Sequence, residues 1–306
     1  MDGLLNVYKE RGFTSHDVVA KLRGILKQRK IGHTGTLDPE AEGVLPVCLG
    51  KATKVCDLLT GQAKTYRAVL RLGIETDTQD MTGTVLRECA VHVSEEAAVE
   101  TVMGFQGTYE QIPPMYSALK VGGKKLYELA RQGREVERKA RPVTIHEISV
   151  SEVELPRLTV TVRCSKGTYI RTLCHDIGKK LGCGGCMESL VRTEVGSFRS
   201  EDALTLGQIE ALRDEGRLKE ALIPVDTLFS EYPAYRAEEG TERLLYNGNP
   251  MAPSEIRNTD GTRTEKGTIR LYDMHGQFMG IYAYDEKIRR FRPVKLFYAR
   301  EEETCG

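Results

Sequence analysis

The sequence lacks the features that most readily assign a chain to a class. Its charges cancel, with 44 Lys and Arg against 44 Asp and Glu in 306 residues. A nucleic-acid binder with that balance must rely on local positive patches. No apolar run approaches membrane-spanning length, and no apolar segment opens the chain in the manner of a secretion signal. The 8 cysteines are therefore expected as thiols in a reducing cytoplasm. Cys183 and Cys186 form a CxxC, but no second pair and no nearby paired histidines complete the four ligands of a zinc site. A redox motif would follow a strand, whereas Gly182, Gly184 and Gly185 suggest a turn, so structural turn cysteines are the reading preferred here. The segment GVLPVCLGK is no phosphate loop, because six residues separate Gly43 from Gly50 and Ala52 replaces the metal-binding hydroxyl. No metal and no cofactor is expected. Internal repeats and low-complexity segments are absent as well.

What is present begins with residues 32–43, GHTGTLDPEAEG. Gly32, Gly35 and Gly43 permit backbone angles closed to other residues, and Pro39 fixes the chain direction after Asp38. The segment reads as a shaped loop presenting one acid, Asp38, and one imidazole, His33, on backbone that neither a helix nor a strand could supply. Taken alone, an Asp before Pro is more often a turn or a helix cap. Two basic segments flank further motifs. Lys21, Arg23, Lys27, Arg29 and Lys30 occur with no acid among them, and eight basic residues, including Lys124, Lys125 and Arg131, lie between Lys120 and Arg141 against three glutamates. An isolated run of this kind is usually a solvated helix face; beside candidate site motifs, RNA contact is the better reading.

The periodicities outline the elements. Gly3 to Tyr8 reads as a strand, and Thr14 or Ser15 caps an amphipathic helix running through Lys30, with Val18, Val19, Leu22, Ile25 and Leu26 at helical spacing and its basic residues outward. Lys64 to Leu72 alternates as a strand, Ser94 to Met103 reads as a capped helix, Val143 to Val153 and Leu158 to Cys164 as a strand pair, and Thr168 to Leu181 as a helix. This order predicts an α+β fold: a mixed or antiparallel sheet with flanking helices. The helical pattern stops between Pro224 and Pro233, so a boundary is placed near residue 230. Beyond it, short alternating runs around His275 and Gly276 suggest a hairpin in a small β barrel.

Four ordered segments resemble the bacterial tRNA pseudouridine-55 synthases of the TruB family: GHTGTLDPEAEGVLPVCLGKATK from Gly32, KTYRAVLRLGIETDTQD from Lys64, QIPPMYSALKVGGKKLYELARQG from Gln111 and CSKGTYIRTLCHDIGKKLGCG from Cys164. The likeness spans about the first two thirds of the chain. It implies a catalytic domain over residues 1–229, with an RNA-gripping insertion at about 113–141, and a small RNA-binding domain of the PUA type over 230–306, where the match is weak. It implies that the chain isomerises uridine to pseudouridine at position 55 in the T loop of tRNA, standing alone, without cofactor, guide RNA or protein partner. By the same resemblance Asp38 is the catalytic residue, Arg171 pairs with it, Tyr66 and Tyr169 belong to the same pocket, Leu190 is an apolar wall and His33 stacks where a base is flipped out.

The reaction breaks the bond from ribose C1′ to N1, turns the uracil and rejoins it through C5. A single ionised carboxylate can serve as nucleophile or as base. Burial of that acid would oppose ionisation, which is the task the resemblance implies for Arg171. Plain alternatives stay open: Tyr66 as strand packing, His33 as a loop histidine with a local hydrogen bond, Tyr169 and Arg171 on different faces of a full helix. A non-catalytic tRNA-binding or tRNA-folding module is the rival function, and a synthase guided by a separate RNA a third. The chain lacks the long charged extensions usual in the guided synthases. It departs from the family where Lys9-Glu10-Arg11-Gly12 replaces Lys-Pro-x-Gly, and where Val191-Arg192 replaces a pair of arginines before threonine.

Overall fold

The computed structural model describes residues 1–259 and 266–298. Strands β1 (Gly3–Lys9), β2 (Ile31–His33), β3 (Glu42–Leu49) and β4 (Lys64–Leu72) open the main sheet. A ribbon of β5 (Ile74–Thr76) and β6 (Val85–Glu88) precedes β7 (Gly107–Gln111), and a second ribbon pairs β8 (Lys120–Val121) with β9 (Lys124–Lys125). The main sheet is completed by β10 (Arg141–Glu154), β11 (Arg157–Cys164), β12 (Gly185–Val195) and β13 (Phe198–Arg199). Its order is β1-β3-β12-β4-β11-β10-β7, with β2 paired to β3 and β13 to β12. All its pairs are antiparallel except β3 with β12. The α+β class and mixed sheet expected from the sequence are what the chain adopts.

Helix α1 (Ser15–Leu26) starts where Thr14 and Asp17 form a reciprocal capping box, an arrangement typically worth about 1 kcal/mol. It buries Val18, Val19, Leu22, Ile25 and Leu26 against β1 and β3. The helix ends four residues earlier than its pattern suggested: Lys27 turns left-handed at φ 49°, so Lys27, Arg29 and Lys30 belong to the following turn. All five basic residues of this segment are exposed. Short α2 (Cys56–Thr60) and α3 (Glu95–Met103), capped by Ser94, come next. Within the insertion, α4 (Leu126–Ala130) buries Leu126 and Leu129. Helix α5 (Ile170–Lys180) packs on β12, and α6 (Leu206–Asp214) on α1.

A second sheet follows a run of 3-10 turns ending at Phe229. Around the short α7 (Glu242–Tyr246) it comprises β14 (Ala234–Ala237), β15 (Ile256–Asn258), β16 (Thr268–Tyr272), β17 (Phe278–Asp285) and β18 (Arg290–Leu296), ordered β15-β14-β16-β17-β18. The hairpin foreseen around His275 and Gly276 is β16–β17, with Gly276 at φ 84°. The second sheet is docked on the first: Phe229, Ile281 and Phe297 share one apolar cluster with Leu4, Val44 and Val55. Among the described residues no helix is long and apolar enough to cross a membrane.

Candidate active site

The Asp38 loop is held from four directions. Its apolar residues Leu37 and Ala41 are buried in the core cluster beneath β4, β11 and α5. Ser15, buried at the start of α1, accepts from the Leu37 amide at 2.9 Å and donates to the Leu37 carbonyl at 3.3 Å. Lys9, at the end of β1 and 0% exposed, donates to the carbonyls of Pro39 at 3.0 Å and Glu10 at 3.1 Å. Burial pulls the Lys9 ammonium down to about 8, against the opposing pull of Glu42, Asp38 and Glu40. Arg192 donates to the Gly35 carbonyl at 3.1 Å from the middle of β12. Gly43 takes φ 105°, and a Cβ there would drive into the Arg192 backbone, its neighbour in the parallel β3–β12 pair. The loop is therefore rigid at its base and open at its tip.

At that tip Asp38 is 42% exposed, and its Oδ2 lies 2.9 Å from Nε of Arg171, which is 6% exposed. A catalytic acid paired with an arginine suggests a buried carboxylate. The structure instead buries the arginine and leaves the carboxylate open to water, because the loop turns outward between Leu37 and Ala41. Arg171 is also bound by carbonyl oxygens: Nη1 donates to Thr78 at 3.0 Å and Nη2 to Tyr116 at 2.9 Å. A second carboxylate, Asp80, approaches Nη1 at 3.6 Å. Asp80 is fixed in turn by Thr78 and Thr82, which donate to its Oδ1. One guanidinium thus joins the Asp38 loop, the turn after β5, the insertion and α5.

The aromatic residues gather around this pair. Tyr169 is the cap residue of α5, outside the helix proper, and Gln111 ties its backbone at both the amide and the carbonyl. This irregular start lets Tyr169 and Arg171, two residues apart, face one site, as the faces of a full helix would not. Burial pushes the Tyr169 hydroxyl up, with Ser117 and Arg171 opposing. Tyr66 on β4 packs against the core cluster that contains Leu190, itself buried on β12. Burial raises Tyr66 too, with Arg192 opposing through charge and a side-chain hydrogen bond. His33 lies on the short strand β2, not on irregular loop backbone as expected from its glycines. Its ring meets His16 edge to face at 5.4 Å, and its pKa is lowered by burial, His16 and Arg192.

The basic segments make local contacts of their own. Lys124 and Lys125 form β9, and Lys125 and Arg131 flank the Tyr127 ring at 5.4 Å each. Lys21 rests over Phe13 at 4.9 Å, and Arg23 donates to the Arg29 carbonyl. The described cysteines are free thiols; Cys183 is buried in the turn before β12, whereas Cys186 is buried on β12 itself, paired with Arg71, and not in the turn expected from the glycines. Among the described residues no three His, Cys, Asp or Glu side chains are grouped to hold a metal ion.

Lys9, Ser15, Asp80 and Arg192 were not foreseen as site residues. Asp80 had a legible signal in TDTQDMTG, a polar run between two strands whose hydroxyls must find acceptors. Lys9 and Arg192 stand in motifs of the family, but their burial had no signal, because a strand lysine or arginine is ordinarily solvated and only tertiary packing shows it buried.

Known proteins similar to this chain identify its family. The description "TruB family pseudouridylate synthase (N terminal domain)" matches residues 23–170, and "tRNA pseudouridylate synthase B C-terminal domain" matches 171–230, short of the second sheet. Proteins named tRNA pseudouridine synthase B are similar at 54% identity in Lachnoclostridium phytofermentans, over 97% of this chain and 100% of the relative, and at 45% in Clostridium kluyveri, over the same shares. Among solved structures, a Cbf5-Nop10-Gar1 complex contains a chain with TM-score 0.71 and 26% identity, covering 97% of this chain and 85% of that one. A second, an H/ACA RNP bound to a substrate RNA containing 2'-deoxyuridine, gives 0.70 and 25%, covering 98% and 86%. The chain belongs to the TruB family of pseudouridylate synthases and is an isomerase of that family.

Proposed function

We propose that this chain isomerises uridine to pseudouridine at position 55 in the T loop of tRNA, with Asp38 as the catalytic carboxylate. The observation that carries the reading is the 2.9 Å pair between an open Asp38 and a buried, four-way anchored Arg171. Pure binding of a polyanion gives no reason to fix an open carboxylate on a buried arginine. Asp38 acts on the ribose or base of a flipped nucleotide, and Arg171 fixes its orientation. Tyr66, Tyr169 and Leu190 hold the uracil while the C1′–N1 bond breaks and the ring turns. His33 stacks in the space the base leaves. Flipping costs a few kcal/mol, and stacking on a ring plane returns about 1 to 3 kcal/mol per base, so His33 and Tyr66 together can offset it. The exposed basic residues of the two segments bind phosphates. Residues 1–229 act as the catalytic domain, and 230–306 as a PUA-type RNA-binding domain. The enzyme works alone, without guide RNA, protein partner or cofactor, in the cytoplasm.

The test is to incubate purified protein with unmodified tRNA transcripts and map pseudouridine at nucleotide resolution. One modified uridine at position 55 is expected. Product spread over other loops, or dependence on an added guide RNA, would contradict the reading.

A further inference from the structure

We propose that Arg192 is a positioning residue for the isomerisation: it directs the Tyr66 hydroxyl into the site as a hydrogen-bond donor and fixes that tyrosine relative to the Asp38 loop. This inference rests on the function proposed above and deepens it.

Arg192 is 1% exposed, and no carboxylate lies within ion-pair distance of it among the described residues. Burying a charge costs several kcal/mol unless the surroundings compensate, so an arginine kept there without a counter-ion calls for a reason. Its contacts supply one. The backbone of Arg192 stands directly across from Tyr66 on β4 and from Gly43 on β3, at the junction where the sheet changes from antiparallel to parallel. Its Nε donates to the Val44 carbonyl at 2.7 Å and its Nη2 to the Gly35 carbonyl at 3.1 Å. Both carbonyls belong to the segment that enters or leaves the Asp38 loop. Directly opposite in the β4–β12 register, and so on the same face of the sheet, stands Tyr66, whose hydroxyl acts on the buried guanidinium.

A guanidinium can only donate hydrogen bonds. Toward Arg192, therefore, the Tyr66 oxygen is an acceptor, and its single O–H must point elsewhere. With β4 and β12 closing the sheet side, that direction is the site. When the C1′–N1 bond breaks with its electron pair passing to the uracil, negative charge spreads over N1 and the ring carbonyl oxygens. A phenol O–H polarised by a buried cation is a preorganised donor for such an oxygen, and no proton need be transferred. The same guanidinium clamps Gly35, so the distance between Tyr66 and Asp38 is set by one rigid planar group.

The test compares wild type, Arg192→Lys, Arg192→Met, Tyr66→Phe and the two double variants by single-turnover rate on tRNA, tRNA affinity and thermal melting. Losing one preorganised donor typically costs about 10²- to 10³-fold in rate, and the loss here should approach the lower figure for Arg192→Met. Arg192→Lys keeps the cation but not the fork and should recover part of that loss. Affinity should stay within about threefold of wild type, because Arg192 is out of reach of RNA. In the Tyr66→Phe background the Arg192 substitutions should add less than about threefold, since the hydroxyl through which they act is gone. Rate losses that multiply in the double variants, or that follow tRNA affinity or melting temperature with no rescue by Lys, would overturn the proposal. Should Arg192→Met fail to fold, Arg192→Lys with and without Tyr66→Phe decides it. A wild-type protein that yields no pseudouridine would instead refute the function itself.

Discussion

At the scale of single residues, the central fact is that Arg171 is buried and Asp38 is not. Four partners hold the guanidinium before any substrate arrives, and water reaches the carboxylate. On the function proposed, orientation more than charge retention is then the task of Arg171. Arg171→Ala should lose most of its single-turnover rate to a similar extent from about pH 6 to pH 9, and Asp80→Asn should lose less; recovery of Arg171→Ala at high pH alone would restore the ionisation role. His33 makes a prediction about pH and stability. Its folded pKa lies below the unfolded value of 6.5 because burial, His16 and Arg192 disfavour the imidazolium. Below pH 6.5 the unfolded chain therefore takes up protons that the folded chain resists, and stability falls with falling pH; above 6.5 neither state binds the proton and the effect vanishes. Denaturant titrations at pH 5.5 and 7.5 should show wild type losing more stability on acidification than His33→Gln. Equal losses would mean that His33 titrates freely in the fold.

At the scale of elements, local rules were enough for those with clean periodicity and insufficient for those whose ends are set by tertiary contacts. β4 occupies Lys64–Leu72, and α3 begins after Ser94, as alternation and capping indicate. The end of α1 was misjudged because basic residues continue the helical composition past Leu26, while the left-handed turn at Lys27 follows from the pairing of β2 with β3. The strand character of Ile31–His33 was hidden for the same reason: three residues carry no period of their own. As candidates, Asp38, Tyr66, Tyr169 and Arg171 were legible through their motifs, and of these Asp38 and Arg171 form an ion pair. The burial of Lys9 and Arg192 was not legible, because it depends on which strands become neighbours. The insertion carries its own prediction. Lys125 and Arg131 bracket Tyr127, and Lys124 is exposed beside them. Replacing Lys124, Lys125 and Arg131 together by Ala should weaken tRNA binding and reduce the slope of log affinity against log salt by about 0.7 to 0.9 per lost phosphate contact. An unchanged slope would make this a merely solvated face.

At the scale of the whole molecule, the second sheet is fused to the first through an aromatic group. Phe229 lies 6.2 Å from Phe278 and 6.0 Å from Phe297, in the cluster that also holds Leu4 and Val44. Lys54 donates to the Leu296 carbonyl across the same junction at 2.7 Å. The change in sequence character near residue 230 marks a new sheet, yet the apolar core runs through it, which composition alone had no means of showing. Phe229→Ala should cost about 3 to 5 kcal/mol, with unfolding still a single transition monitored from either sheet. Two separated transitions in the wild type would show that the sheets fold independently. Whether the chain acts alone through one carboxylate is decided by comparing purified wild type with Asp38→Asn on unmodified tRNA, in single turnover and in equilibrium binding. Wild type should give a modified uridine and Asp38→Asn none, with affinities within about tenfold, or roughly 1.4 kcal/mol, because the change removes a reacting group and little contact area. Substantial pseudouridine from Asp38→Asn would contradict the role proposed for Asp38.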